Sequence, residues 1–355
     1  MSARRLSRTE RLDAFQRRYP WAGLPIAVVY KYFDDQGSYL AALLAHYGFL
    51  SLFPLLLLLS SVLGFALQGN AQLQQEVLQS ALSQFPIIGD QLRTTGLSGS
   101  GAGIVVGLLG AIYGGLGVAQ ALQNAMNVAW RVPVNRRPNP LLARLRSLLL
   151  LGTAGVAVAA TTVLSALGTS AEAFGATAVG TGLKLVLGVA SVLANALVFL
   201  LAFRIATARE LGWRDFVPGA LVAALAWQVL QWFGAVLVAH TLKNATVVGG
   251  VFGLVLGLLA WLYIAAIVIV FAVELNVVLA KHLWPRALLT PFTDDVDLTK
   301  GDRRSYADAA RAQRAKGFQN VDVTFDNDGQ HATWSRQQAA AEAETGRPAG
   351  ESGSG

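Results

Sequence analysis

Between Lys243 and Lys281 the chain carries a single charged side chain, Glu274, inside the apolar run WLYIAAIVIVFAVELNVVLA. A carboxylate is costly to leave bare in such surroundings, so it is expected to turn inward and find a partner. Four other polar groups fall at a comparable depth when the apolar runs are aligned: His46, Asn124, Asn127 and Arg204. One reading is a polar cavity, open to the arginine-rich side of the molecule, in which Glu274 pairs with Arg204 or His46 and the asparagines line the wall. The other is that Glu274 snorkels to the interface or makes one structural ion pair. Asn276 is close in sequence, but two residues turn a helix by ~200°, so it points elsewhere.

Hydrolytic chemistry needs a nucleophile with a base, paired carboxylates or a metal cage. The four histidines, His46, His240, His282 and His331, are scattered, and no H-E-x-x-H, Walker A or G-x-S-x-G pattern occurs. The chain has no cysteine, which removes disulfides and thiolate metal sites. No catalytic residue, metal ligand or cofactor site is therefore assigned, and an enzyme is not expected. Asp294, Asp295 and Asp297 lack the remaining ligands of a calcium loop and read as a solvated acidic face.

These polar groups must be positioned by elements that live in lipid. The 355 residues are 54% hydrophobic and only 14% charged, about half the charged content of soluble proteins. The charges gather in clusters separated by runs of roughly 20 residues, long enough to cross a ~30 Å hydrocarbon core. Six spans are expected, at about 39–67, 101–127, 147–168, 183–207, 216–239 and 248–281. The class is all-α, a polytopic six-transmembrane-helix bundle. Its first apolar run, Tyr39 to Leu67, is too long for a signal-peptide core and reads as a signal anchor.

Lysine and arginine placement sets the direction. Of 28 such residues, the first, third, fifth and last connecting regions hold 7, 5, 3 and 10, which leaves 3 for the others (Arg93, Lys184 and Lys243). By the positive-inside rule both termini lie in the cytoplasm, and six spans agree with that parity. The expected organisation is a basic cytoplasmic or interfacial segment at 1–38, a transmembrane domain at 39–283, and a largely disordered cytoplasmic tail at 284–355. A net charge of +7 in this setting points to anionic lipid headgroups at the cytoplasmic face as partners. It does not point to nucleic acid, since no compact basic domain is present. Protein partners or a homo-oligomer stay open.

Small residues mark helix-contact faces. The second span carries Gly103, Gly107, Gly110, Gly114 and Gly117, and the sixth repeats the device with Gly250, Gly253 and Gly257. Steps of three and four leave bare backbone on one side, which permits close helix approach. Pro54 interrupts the first span. An amphipathic stretch, Leu73, Val77, Ala81 and Phe85, is expected to lie on the outer surface or over the bundle mouth, and the alternative is a solvated loop helix without a role.

With those residues in view, the chain resembles the YihY/virulence factor BrkB family, once named for ribonuclease BN. The likeness runs from about Lys31 to Lys281 through KYFDDQGSYLAALLAHYGFLSLFPLLLLL, ALQNAMNVAW, VPGALVAALAW and the Glu274 segment. Where the family usually has Gly-Ala before Glu-Leu-Asn, this chain has Ala272-Val273. The resemblance implies a six-span bacterial inner-membrane protein and supplies no catalytic or binding residues. The function expected is a transporter or translocator of a lipid or envelope component through an intramembrane cavity. The alternative is a non-catalytic membrane scaffold that recruits partners; the ribonuclease name finds no support in these residues.

Overall fold

The computed structural model describes residues 13, 15, 16, 18–66, 101–173, 181–241, 247–290, 296 and 298–325. The described residues are helical, with no strand among them. Helix α1 is Pro20–Asp34 and α2 is Gly37–Ala66; α3 is Gly101–Ala129 and α4 Pro140–Ala173; α5 is Thr181–Ala206, α6 Val217–Thr241 and α7 Val247–Lys281. A shorter helix, α8, is Lys300–Ala312. Each expected span thus has a long helix on it. Four meet the length and hydropathy needed to cross a membrane within the described residues: Ile104–Ala129, Gly188–Ala206, Val217–Gly234 and Val255–Lys281. The amphipathic stretch at 73–85 lies outside the described residues, as do Asp294, Asp295 and Asp297.

The chain divides into two compact units, 28–132 with 136–281, and 1–27 with 133–135 and 282–355. In the first unit the large apolar side chains turn outward. Leu109, Tyr113, Leu145, Val156, Leu193, Val229 and Trp232 are all more than half exposed, an arrangement that water would penalise and lipid tolerates. The inward faces are small. Alanines 41, 45, 121, 125 and 266 pack with Leu40, Leu44, Val270 and Tyr32 into one core. The Tyr32 ring stacks on Phe271 at 4.2 Å, nearly parallel.

The α3 glycines form a seam for α2. A Cβ at Gly110 would lie 2.6 Å from Pro54 Cβ, and one at Gly114 would lie 2.5 Å from Ser51 Cα. At Gly117 it would enter the Tyr47 ring. Gly107 is buried on the same side. The α7 stripe differs: Gly253 is exposed, Gly257 half-buried, and no neighbouring heavy atom stands within 4 Å of a Cβ at either. The surroundings of Gly103 and Gly250 lie outside the described residues. On α6 the close approach falls at Gly219, where a Cβ would strike the Ala272 carbonyl of α7. Ala272 and Val273 are fully buried there, so α6 supplies the glycine at the contact where this chain departs from Gly-Ala.

Within the segment expected to be a largely disordered tail, 284–355, the described residues of the second unit include α8. Asp302 ties 286–287 to the start of α8: it lies 2.5 Å from Arg286 Nε and accepts from the N–H groups of Ala287 and Thr299 at 3.0 and 2.9 Å. The Asp302 N–H in turn donates to Thr299 Oγ1 at 3.1 Å, completing a capping box at the start of α8. Gly301 sits where a Cβ would be 2.6 Å from the Pro285 carbonyl. Few apolar groups were available to bury, so this unit is organised by a polar centre instead.

Candidate functional site

Two helix ends converge on Glu274 of α7. Helix α1 terminates through Gln36 in a left-handed conformation (φ 54°) and α3 through Arg131 (φ 52°). At the α3 end the Arg131 N–H bonds the Val128 carbonyl and the Val132 N–H bonds the Asn127 carbonyl, both at 2.9 Å. This is a Schellman closure, whose left-handed position usually holds glycine. An arginine there costs roughly 1 kcal/mol of backbone energy, offset by the work its side chain does.

That side chain pairs with Asp35, and Asp35 pairs with Lys31 one helical turn earlier. Lys31 Nζ also donates to Glu274 Oε2 at 3.2 Å and to the Ala129 carbonyl at 3.0 Å. Lys281 donates to the Trp130 carbonyl at 3.2 Å. Two lysines thus meet the free carbonyls at the negative end of α3. Glu274 is 0% exposed and Lys31 1%. Counted by formal charge, two carboxylates stand against two cations, the pairing that a low-dielectric interior demands. Glu274 Oε1 is buried without a hydrogen-bond partner, so one acceptor stays open within the cluster.

The five residues expected to share one cavity fall in four places. Glu274 faces the interior, but its partner is Lys31, not Arg204 or His46. His46 is exposed on α2 beside the Tyr47 ring, because Leu44 and Ala45 hold the core side of that helix. Arg204 is exposed at the end of α5, its guanidinium 3.7 Å above the Trp213 ring. Asn127 is buried and accepts from the Ala208 N–H at 3.2 Å. Asn124 and Asn127 both line a separate pocket of about 340 Å³ between α3 and α4. Asn276 does point elsewhere, accepting from the Gly219 N–H at 2.6 Å.

Lys31, Asp35 and Arg131 were missed as site residues. A signal existed: Lys31 is the one cation among Val28, Val29, Tyr30, Tyr32 and Phe33, with a carboxylate four residues on. As for metals, no group of three His, Asp or Glu side chains gathers among the described residues.

Comparison with known proteins gives two findings. The family model described as "Virulence factor BrkB" matches residues 28–291. A Bacillus subtilis (strain 168) protein named "Putative ribonuclease-like protein YfkH" is 24% identical over 260 residues, covering 71% of this chain and 93% of that protein. No solved structure matches the chain.

Proposed function

The chain belongs to the virulence factor BrkB family, and from that premise we propose that it is a six-span inner-membrane protein, with both termini cytoplasmic, that translocates a lipid or envelope component without covalent chemistry. The observation that supports this is the charge-matched, buried cluster of Lys31, Asp35, Arg131 and Glu274. A buried ion pair gains little stability over a well-packed apolar core, so such a cluster is poorly explained as mortar. Ionisable groups within membrane helices characteristically mark transport paths and gates. Here they join the ends of α1 and α3 to α7. The arginine asymmetry supports the orientation.

The ribonuclease-like name of the relative is not carried over. Phosphodiester hydrolysis requires acid and base groups that RNA can reach, and Asp35 and Glu274 are buried and ion-paired.

The test is reconstitution. Proteoliposomes containing the protein should move a fluorescent phospholipid between leaflets faster than empty vesicles, and Glu274→Gln should abolish the gain while the protein still inserts. Equal rates with and without the protein would sink translocation. A scaffold would instead keep its cellular role in Glu274→Gln and lose it when 291–355 is removed.

A further inference from the structure

Near the same end of α3 lies a second polar feature of different character. Gln120, Gln123, Asn124 and Asn127 follow the i, i+3, i+4, i+7 rhythm of one helix face. They form a polar stripe on a helix otherwise made for lipid. This stripe, with Arg137 and Arg144, walls the pocket of about 340 Å³.

The pocket is built, not a chance gap. The buried Gln123 amide donates to the Ala143 carbonyl at 3.1 Å and to Ser147 Oγ at 2.8 Å, pinning α3 to α4. Asn139 caps α4, its Oδ1 accepting from the Leu142 N–H at 2.8 Å, so the positive end of the helix dipole adjoins the pocket. Arg137 Nε is directed to the Val132 carbonyl at 3.4 Å, which leaves the outer guanidinium nitrogens for another acceptor.

Charge decides the sign of the ligand. From Gly101 to Ala171 the sequence has five arginines and no acidic residue. Arg131 pairs with Asp35, whereas no carboxylate among the described residues pairs with Arg137 or Arg144. Planar guanidinium groups suit phosphate oxygens.

A second, apolar groove with lining residues of its own runs between α4 and α5. Leu145, Leu148, Gly152 and Val156 face Leu197 and Leu201 of α5 across about 700 Å³. From Leu145 to Val156 is ~16 Å of helix, about half the ~30 Å hydrocarbon core and so the depth of one leaflet. Arg144 of the pocket and Leu148 of the groove are one helical turn apart on the same side of α4, ~6 Å along its axis, close enough for one lipid to reach both.

We infer that this paired pocket and groove hold one anionic phospholipid, its phosphate between Arg137 and Arg144 and an acyl chain against Gly152. The site stands whether or not the protein moves lipid, because it concerns binding alone.

The experiment is native mass spectrometry of the full chain in detergent with equal amounts of phosphatidylglycerol and phosphatidylcholine. The wild type should retain phosphatidylglycerol preferentially. Arg137→Gln and Arg144→Gln should each lower that retention about fivefold, while Arg136→Gln, an exposed arginine outside the pocket, leaves it unchanged. Gly152→Leu, placed where no neighbour lies within 4 Å, should weaken retention of the diacyl lipid without affecting folding. Excess inorganic phosphate should not displace the lipid. Equal retention of the two lipids by the wild type overturns the site. So does unchanged retention in the Arg137→Gln/Arg144→Gln double variant, or a phosphate ion that binds while phosphatidylglycerol shows no preference.

Discussion

Two charged regions meet near the C-terminal end of α3, and they solve the same problem in opposite ways. The cluster around Glu274 balances two carboxylates against two cations and closes over them. The pocket between α3 and α4 keeps an opening and leaves Arg137 and Arg144 without a carboxylate among the described residues. Neighbouring positions even split between them: Ala129 offers its carbonyl to Lys31, while Asn127, two residues earlier, lines the pocket. The difference teaches what burial demands. Charges sealed away from water must be matched within the chain, whereas accessible arginines can wait for a partner from the membrane. Substitutions should therefore fall hard on stability in the first region and hardly at all in the second.

The largest effect is expected for Lys31→Met. It leaves Asp35 and Glu274 buried with one cation between them, and breaking a buried pair from one side costs about 3–5 kcal/mol. The unfolding midpoint in detergent should fall steeply. Glu274→Gln keeps the shape and removes one charge, so its cost should be smaller. The double variant Lys31→Met/Glu274→Gln should recover part of the loss, leaving Asp35 matched by Arg131. A double-mutant cycle with no coupling between positions 31 and 274 would break the picture of a charge-matched cluster.

Next comes the glycine seam, where the comparison moves to packing. Gly114→Leu forces a side chain into Ser51 of α2, and overpacking of this kind costs typically 1–3 kcal/mol. Gly257→Leu on α7 meets open space and should leave the midpoint nearly unchanged. Equal losses at the two positions would mean that the α7 stripe is covered as tightly as the α3 seam.

Both stripes look alike in sequence, and that marks the limit of what spacing reveals. Apolar runs located the helices closely: 183–207 was expected where α5 is Thr181–Ala206, and 248–281 where α7 is Val247–Lys281. Helix α4 starts seven residues before its expected 147, because Arg144 and Arg146 depress the hydropathy of an opening that Pro140 and the Asn139 cap still make helical. Glu274 was legible as a lone charge in an apolar run. Its partner was not, because Lys31 is 243 residues away, and its reach depends on the turn at Gln36 that sets α1 against the bundle. The Asn124 and Asn127 pair was legible by depth alone. Facing directions then separated it from Glu274: both asparagines line the α3–α4 pocket and Asn127 also bonds the Ala208 N–H after α5, while Gly110, Gly114 and Gly117 face α2.

The smallest effect sharpens the comparison most. Arg144 is exposed and unpaired among the described residues, so Arg144→Gln should change the unfolding midpoint of delipidated protein by no more than the ~0.5 kcal/mol usual for surface positions. Added phosphatidylglycerol should raise the midpoint of the wild type, because a ligand that binds the folded state alone stabilises it by mass action. In Arg144→Gln that rise should shrink while the lipid-free midpoint stays put. Lys31→Met should show the reverse, a low midpoint and an undiminished response to lipid. If Arg144→Gln destabilises the lipid-free protein as much as Lys31→Met does, the pocket is part of the chain's own charge balance, and the contrast between a closed cluster and an open one fails.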